Sequence, residues 1–315
     1  MAEEKSRRPA ASLLKQQKLP AWQPVLTPRV VIIGFLAVGL LFVPLGIAFL
    51  AAANSVKQVE VDYTQCNPAT APNGIQNCTV SVALPEMKAP VYVYYQLTNY
   101  YQNHRRYVKS RNDAQLRGDP PKKWSSLEDC LPRIAVNDDS SENNPSEWFL
   151  PCGLIAWSRF NDTFELTPSG SSTPLPWVKD GIAWYSDVKE KFRNPPPTAP
   201  GRRLDPPVDF VDQDFIVWMR TAGLPSFRKL YRIIPNDIPA GLYTFSIQSR
   251  FHVLPFGGTK GLVVSTASWM GGKNTFLGTA YIVVGILCLL IGVAFLAAQT
   301  LFPRKLTGDF YTLSE

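Results

Sequence analysis

The sequence is poor in the residues and spacings on which most enzyme chemistry depends. In 315 residues there are two histidines, His104 and His252, and neither adjoins a serine or cysteine nucleophile. There is no Gly-x-Ser-x-Gly elbow, no His-Glu-x-x-His pair and no Cys-x-x-Cys pair. Without such spacing, the five cysteines and two histidines do not read as a zinc site. Gly271-Gly272-Lys273 resembles the end of a phosphate loop, but Ala267 stands where that loop needs glycine. The acidic run Asp138-Asp139-Ser140-Ser141-Glu142 lacks the spacing and glycine of a calcium loop. The sequence therefore points to no catalytic, cofactor-binding or metal-binding residue, and an ectoenzyme has no constellation to name.

Charge is missing from two long stretches, Val30 to Ala53 and Phe276 to Phe302. As a helix the first spans roughly 36 Å, more than the hydrocarbon core of a bilayer. In lipid its backbone groups stay unpaired unless it is helical. Ala51-Ala52-Ala53 looks like a signal cleavage site, but the run is longer than a signal core. Both runs read as transmembrane helices. Neither holds an ionisable Asp, Glu, Lys, Arg or His, which argues against a proton- or ion-coupled carrier.

The net charge of +7 is concentrated at the ends of these runs. Lys5, Arg7, Arg8, Lys15, Lys18 and Arg29 precede the first, and Arg304 and Lys305 follow the second. The middle part is nearly balanced, which disfavours nucleic acid as a partner. Basic flanks favour the cytoplasm. The expected layout is a cytoplasmic tail (1–29), a first membrane helix (30–53), an exoplasmic or lumenal domain (54–275), a second helix (276–302) and a cytoplasmic tail (303–315). The basic tails would meet anionic cytoplasmic lipid favourably.

Cys66, Cys78, Cys130 and Cys152 all lie in the middle part, where an oxidising compartment suggests two disulfides. Three pairings are possible. The local one, Cys66–Cys78 with Cys130–Cys152, closes short loops and is favoured. Cys288, inside the second run, reads as an apolar core residue. Two glycosylation sequons, at Asn77 and Asn161, fall on the same side, whereas Pro145 excludes Asn144.

The middle part reads as strands. Residues 79–84, 91–97, 242–253 and 262–266 are alternating or rich in β-branched and aromatic residues. Residues 97–107 and 215–221 are candidate helices. Asn194 to Pro207, dense in proline, reads as an exposed strap. The fold class is a membrane protein: two transmembrane α-helices flanking a large, mainly antiparallel-β exoplasmic domain.

Three features suggest contact surfaces. Leu19, Pro20 and Trp22 stand in a polar, proline-broken tail, either as an interfacial anchor or as an extended docking peptide. Asn99 to Gly118 interleaves Arg105, Arg106, Lys109, Arg111 and Arg117 with Tyr100, Tyr101 and Tyr107. It reads either as a patch for phosphate or acidic protein, or as internal ion pairs around an aromatic cluster. Gly278, Gly285 and Gly292 recur every seventh residue and share one helix face, where another helix can approach, either this chain's own or another protein's. Gly34, Gly39, Gly46 and a kink at Pro44 are the matching candidates on the first helix.

Several stretches then resemble one family. They are Lys15-Gln16-Gln17-Lys18-Leu19-Pro20-Ala21-Trp22, NYYQNHRRYVKSRNDAQLRG (99–118), PCGLIAWSRFNDTF (151–164), FIVWMRTA (215–222) with FRKLY (227–231), and SWMGGKNTFLG (268–278). In this order, from Lys15 to Leu306, the chain resembles the cell division control protein 50 family, also called ligand-effect-modulator proteins, with wording nearest the plant ALA-interacting subunits. The resemblance implies a non-catalytic β-subunit in a heterodimer with the α-subunit of a type IV P-type ATPase, a phospholipid flippase. It implies a role in exit from the endoplasmic reticulum, in stability and in the transport cycle. The partner would hydrolyse ATP and move phospholipid from the exoplasmic to the cytoplasmic leaflet, in endoplasmic reticulum, Golgi, endosomal and plasma membranes. It also implies an ectodomain lying over the ATPase's exoplasmic loops and a tail along its cytoplasmic side, which favours the docking reading of Leu19, Pro20 and Trp22. Topology alone also suits a two-helix ligand-gated channel subunit, but the second helix largely lacks polar pore-lining residues.

Overall fold

The computed structural model describes residues 12–19, 27–71, 73–136 and 142–303. In chain order its elements are α1 (Pro28–Asn54), β1 (Gln58–Asp62), β2 (Gln76–Leu84), β3 (Val91–Leu97), α2 (Arg105–Lys109), α3 (Asp113–Leu116), β4 (Phe149–Leu150), α4 (Leu154–Trp157), β5 (Thr163–Pro168), β6 (Arg202–Arg203), α5 (Gln213–Met219), β7 (Phe227–Ile234), β8 (Gly241–Ser249), β9 (Lys260–Ser265) and α6 (Phe276–Leu301). They form two bodies. One contains residues up to Ala51 together with those from Thr275 onward, and the other is Ala52–Asn274.

The first body is a helical hairpin. Both helices are long and apolar enough to cross a membrane, and their outer faces expose Leu40, Ile47 and Leu290. α1 continues through Pro44. Gly278, Gly285 and Gly292 are the buried residues of α6. A methyl group at these positions would lie 2.7 Å from the Leu50 amide nitrogen, 3.0 Å from that of Val43 and 2.9 Å from Leu36 Cδ2. The falling order 50, 43, 36 against 278, 285, 292 means that the helices run antiparallel. From α1, Gly46 presses on Ile282 and the Gly278 carbonyl, and Gly39 on Leu289. Backbone approaches backbone here because these glycines have no side chain to hold them apart. Phe42 and Phe49 flank Tyr281, with ring centroids 4.8 and 5.3 Å apart.

The second body is built on two sheets. One has the order β1-β9-β3-β7, the other β2-β8-β5, and every pairing within them is antiparallel. Alternation decides which side faces inward: Val91, Val93, Tyr95 and Leu97 of β3 are buried, and so are Tyr243, Phe245, Ile247 and Ser249 of β8. The sheets share one core. Phe164 of β5 meets Tyr231 of β7 with ring centroids 5.0 Å apart, and Phe160 stacks on Tyr95 at 3.9 Å. Disulfides join Cys66 to Cys78 and Cys130 to Cys152. The second lies in a small separate cluster with Leu127, Ile134 and Trp148.

Three local expectations change. Residues 97–104 are not helical: β3 ends at Leu97, Asn99 adopts a positive φ of 55° that turns the chain, and helix begins only at Arg105. β8 ends at Ser249 rather than 253, because the following residues enter the polar clasp described below. The 194–207 strap is mostly exposed, but Arg202–Arg203 pairs in parallel with β4 and Leu204 is buried.

The clasp centres on a buried ion pair. Lys260, which opens β9, and Asp162, just before β5, approach to 2.9 Å with both side chains inaccessible to solvent. The Lys260 ammonium also donates to Ser249 Oγ and to the Phe251 carbonyl. Asp162 accepts from the amides of Arg250 and Phe251 and from the Tyr63 hydroxyl. Ser249 Oγ donates to the Cys66 carbonyl at 2.6 Å. Residues at the ends of both sheets, together with the cystine loop, are therefore tied to one carboxylate. Burial, the Asp162 charge and its hydrogen bond push the Tyr63 phenol well above its usual range.

Candidate functional site

The tyrosines and arginines of residues 99–118 separate. Tyr100 lies within ring-contact distance of Tyr107, Trp218, Phe227, Phe251 and Phe256. The Tyr107 hydroxyl shares a hydrogen bond of 2.9 Å with Ser158, and burial raises its pKa well above the ordinary phenol value. Arg105, Arg106 and Lys109 point outward on α2. Among the described residues no carboxylate lies within ion-pair distance of any of the three, whereas Arg111 pairs with Asp113 at 3.0 Å. Tyr100 and Tyr107 thus join the aromatic core and Arg111 is ion-paired, while Tyr101, Arg105, Arg106 and Lys109 lie on the surface.

The loop after α5 is held against this surface. The Ala222 amide donates to Gln102 Oε1 at 2.9 Å, Asn103 Nδ2 donates to the Gly223 carbonyl, and the Tyr100 amide donates to the Pro225 carbonyl. Gln102 is fully buried, so its side chain serves as an internal peg. The result leaves Leu224 and Tyr101 exposed at 69 and 57%. Lys229 fixes the end of α5 from beneath. Its amine donates to the carbonyls of Val217, Trp218 and Arg220 at 2.6–2.8 Å, satisfying groups that a helix C-terminus leaves unpaired. Burial, then the Arg220 charge, lowers its pKa to about 7. Arg220 pairs with the buried Asp187 at 3.0 Å and stacks 4.3 Å over Trp184. Lys191 also pairs with Asp187, and the Asp187 carboxyl is held below its usual range by these two cations against the opposing effect of burial. Trp184, Arg220, Thr221 and Ala222 line one cleft. Trp184 and Tyr185 remain 65 and 75% exposed.

Exposed aromatic and arginine side chains stand on rigid supports in this part of the domain, and these residue types are enriched in protein interfaces. Among the described residues no group of His, Cys, Asp and Glu is placed to hold a metal. Trp184, Tyr185 and Leu224 were not singled out in the sequence: they are far from residues 99–118 along the chain, and the loop of Leu224 reaches that stretch through the bonds of Tyr100, Gln102 and Asn103. Of the tail residues, Leu19 is exposed, while Pro20 and Trp22 lie outside the described residues. Gly278, Gly285 and Gly292 do not add to an exterior surface. Of the two alternatives open for the stripe, this chain's own helix or another protein, the structure shows contact with the chain's own α1.

Comparison with known proteins places this geometry. The model of the LEM3 (ligand-effect modulator 3) family / CDC50 family matches residues 34–305. The chain belongs to that family. It is 44% identical to bovine (Bos taurus) Cell cycle control protein 50A over 93% of this chain and 89% of the relative. It is 42% identical to ALA-interacting subunit 3 of Arabidopsis thaliana over 98% and 91%. With human (Homo sapiens) Cell cycle control protein 50B it shares 40% over 96% of each. The family match thus covers most of α1, the whole β-domain and all of α6.

Proposed function

We propose that this chain is the non-catalytic β-subunit of a type IV P-type ATPase, a flippase moving phospholipid from the exoplasmic to the cytoplasmic leaflet. The observation that carries this reading is the near full-length match to a protein named ALA-interacting subunit 3. Residues 54–275 then face the exoplasm or lumen, and both tails the cytoplasm. Basic flanks on the two tails and the two disulfides in the middle part support that orientation. The surface of Arg105, Arg106, Tyr101, Leu224, Trp184 and Tyr185 docks on exoplasmic loops of the ATPase, and Leu19, Pro20 and Trp22 dock on its cytoplasmic side. Together these contacts form a heterodimer that supports exit from the endoplasmic reticulum, stability and the transport cycle, en route to Golgi, endosomal and plasma membranes.

Affinity purification of the full chain from detergent-solubilised membranes, read by mass spectrometry, tests this. The expected co-purifying protein is a large polypeptide bearing an aspartyl-phosphate site. Recovery of this chain alone, with normal lipid asymmetry after its deletion, would overturn the proposal.

A further inference from the structure

Three short elements, α3, the single turn Asp187–Lys191 and α5, surround a second cleft of about 320 Å³. Arg111, Arg117, Lys191 and Arg220 line it together with Asp113 and Asp187. Its apolar part is made by Leu116, Phe192, Ile216 and Met219, all buried. The walls are fixed by the core. The Arg193 amide donates to the Leu116 carbonyl at 2.8 Å, which ties the chain leaving the turn to α3. Phe192 meets Phe215 of α5 with ring centroids 6.0 Å apart. Gln115 of α3 is buried and bonded through both ends of its amide, accepting from the Cys152 amide and donating to the Phe149 carbonyl. A ligand entering here would meet a site that needs little ordering.

The charges in this cleft do not cancel. The Asp187 carboxylate holds Lys191 on Oδ1 at 2.7 Å and Arg220 on Oδ2 at 3.0 Å, and Asp113 holds Arg111 at 3.0 Å. Among the described residues no carboxylate lies within ion-pair distance of Arg117. Four cations therefore share two carboxylates, and two positive charges are left over. The apolar floor lowers the local dielectric and strengthens their field. Guanidinium forks and ammonium groups suit phosphate oxygens. A phosphate monoester carries about −1.5 to −2 charges near neutral pH, which matches the excess, whereas a carboxylate carries one. Thr221 also lines the cleft, and among the described residues its hydroxyl makes no hydrogen bond, so a neutral donor is on hand.

We propose that this cleft binds the phosphate group of a monoester ligand, with Arg117 and Lys191 as the main contacts and Arg111 and Arg220 completing the charge balance. A soluble phosphate ester and a lipid ending in phosphate present the same group. The site belongs to this chain alone, so its failure is distinct from failure to co-purify an ATPase.

The full chain, purified in maltoside detergent and phosphate-free buffer, is the material for the test. Phosphorus NMR of added glycerol 3-phosphate should show saturable line broadening. Glycerophosphocholine, a diester with one negative charge, should bind about tenfold more weakly. Arg117→Ala should weaken the monoester about tenfold, the scale of a lost charged hydrogen bond, and Arg117→Glu should abolish binding. Arg117 is exposed, so neither change should move the thermal midpoint. Asp113→Asn, which releases Arg111, should tighten binding several-fold. In nanodiscs, loss of broadening with phosphatidic acid but not with phosphatidylcholine alone assigns the lipid source, and equal broadening in both assigns the soluble one. Absence of saturable broadening, equal affinity for the diester, or unchanged binding in Arg117→Glu and Asp113→Asn would each overturn the proposal. So would loss of ATPase recovery in Arg117→Glu with phosphate binding intact, which would make the cleft a protein contact.

Discussion

In the hairpin, α1 and α6 meet through Gly39, Gly46, Gly278, Gly285 and Gly292, where side chains are absent and backbones nearly touch. In the β-domain, large side chains fill one core, and a fully buried Lys260–Asp162 pair ties the two sheets. The difference follows from the solvent. Lipid is as apolar as leucine, so burying leucine between membrane helices gains little and close packing must hold them. Water rewards apolar burial in the β-domain, and that burial can offset the cost of desolvating an ion pair. Each body is therefore fragile to a different change: the hairpin to added volume, the β-domain to a lost polar partner.

The sharpest way to break this contrast is at the clasp. Lys260→Met leaves the Asp162 carboxylate buried without its cation and should cost about 3–5 kcal/mol in urea unfolding of the domain. A loss below about 1 kcal/mol would mean that the Asp162 amide and Tyr63 hydrogen bonds suffice. Next, replacing Cys130 and Cys152 by serine should cost about 3 kcal/mol through loop entropy, seen as a lower thermal midpoint. In the hairpin, Gly285→Leu forces a side chain against Val43 and Phe42 and should cost about 1–3 kcal/mol of packing. Its readout is loss of a cysteine crosslink between positions 36 and 292. Gly34→Leu meets open space and should leave that crosslink unchanged, which makes it the control.

A smaller effect concerns Lys229. Its folded pKa, about 7, lies below the ordinary lysine value, so between those two pH values the unfolded chain binds more protons. Stability should therefore rise with pH from 7 to 9, by on the order of 1–2 kcal/mol, and Lys229→Met should flatten that slope. Smallest for stability is Arg105→Glu/Arg106→Glu. Both side chains are exposed, so the thermal midpoint should stay within the scatter of surface changes while ATPase recovery falls.

Much of the layout was legible because membrane and disulfide constraints act on local sequence. Charge-free runs, their basic flanks and the strand alternation need no knowledge of the fold, and the family motifs added the partner class. The glycine stripe was visible too, since a seven-residue period places those residues on one helix face. Which helix it met was not visible, because two partners satisfied the same spacing. The stretch 99–118 was ambiguous for a similar reason: sequence alone does not say which way a tyrosine or arginine faces.

By itself, the sequence determined the two apolar helices, their basic flanks and the β character of residues 54–275, since each follows from short-range chemistry. Only tertiary structure decided that Asp162 meets Lys260, that the loop carrying Leu224 lies beside Tyr101, and that Asn77 and Thr163 flank one residue of β8. Those contacts join residues about a hundred or more positions apart. Their closure is decided by strand register and a shared core, to which no local pattern has access.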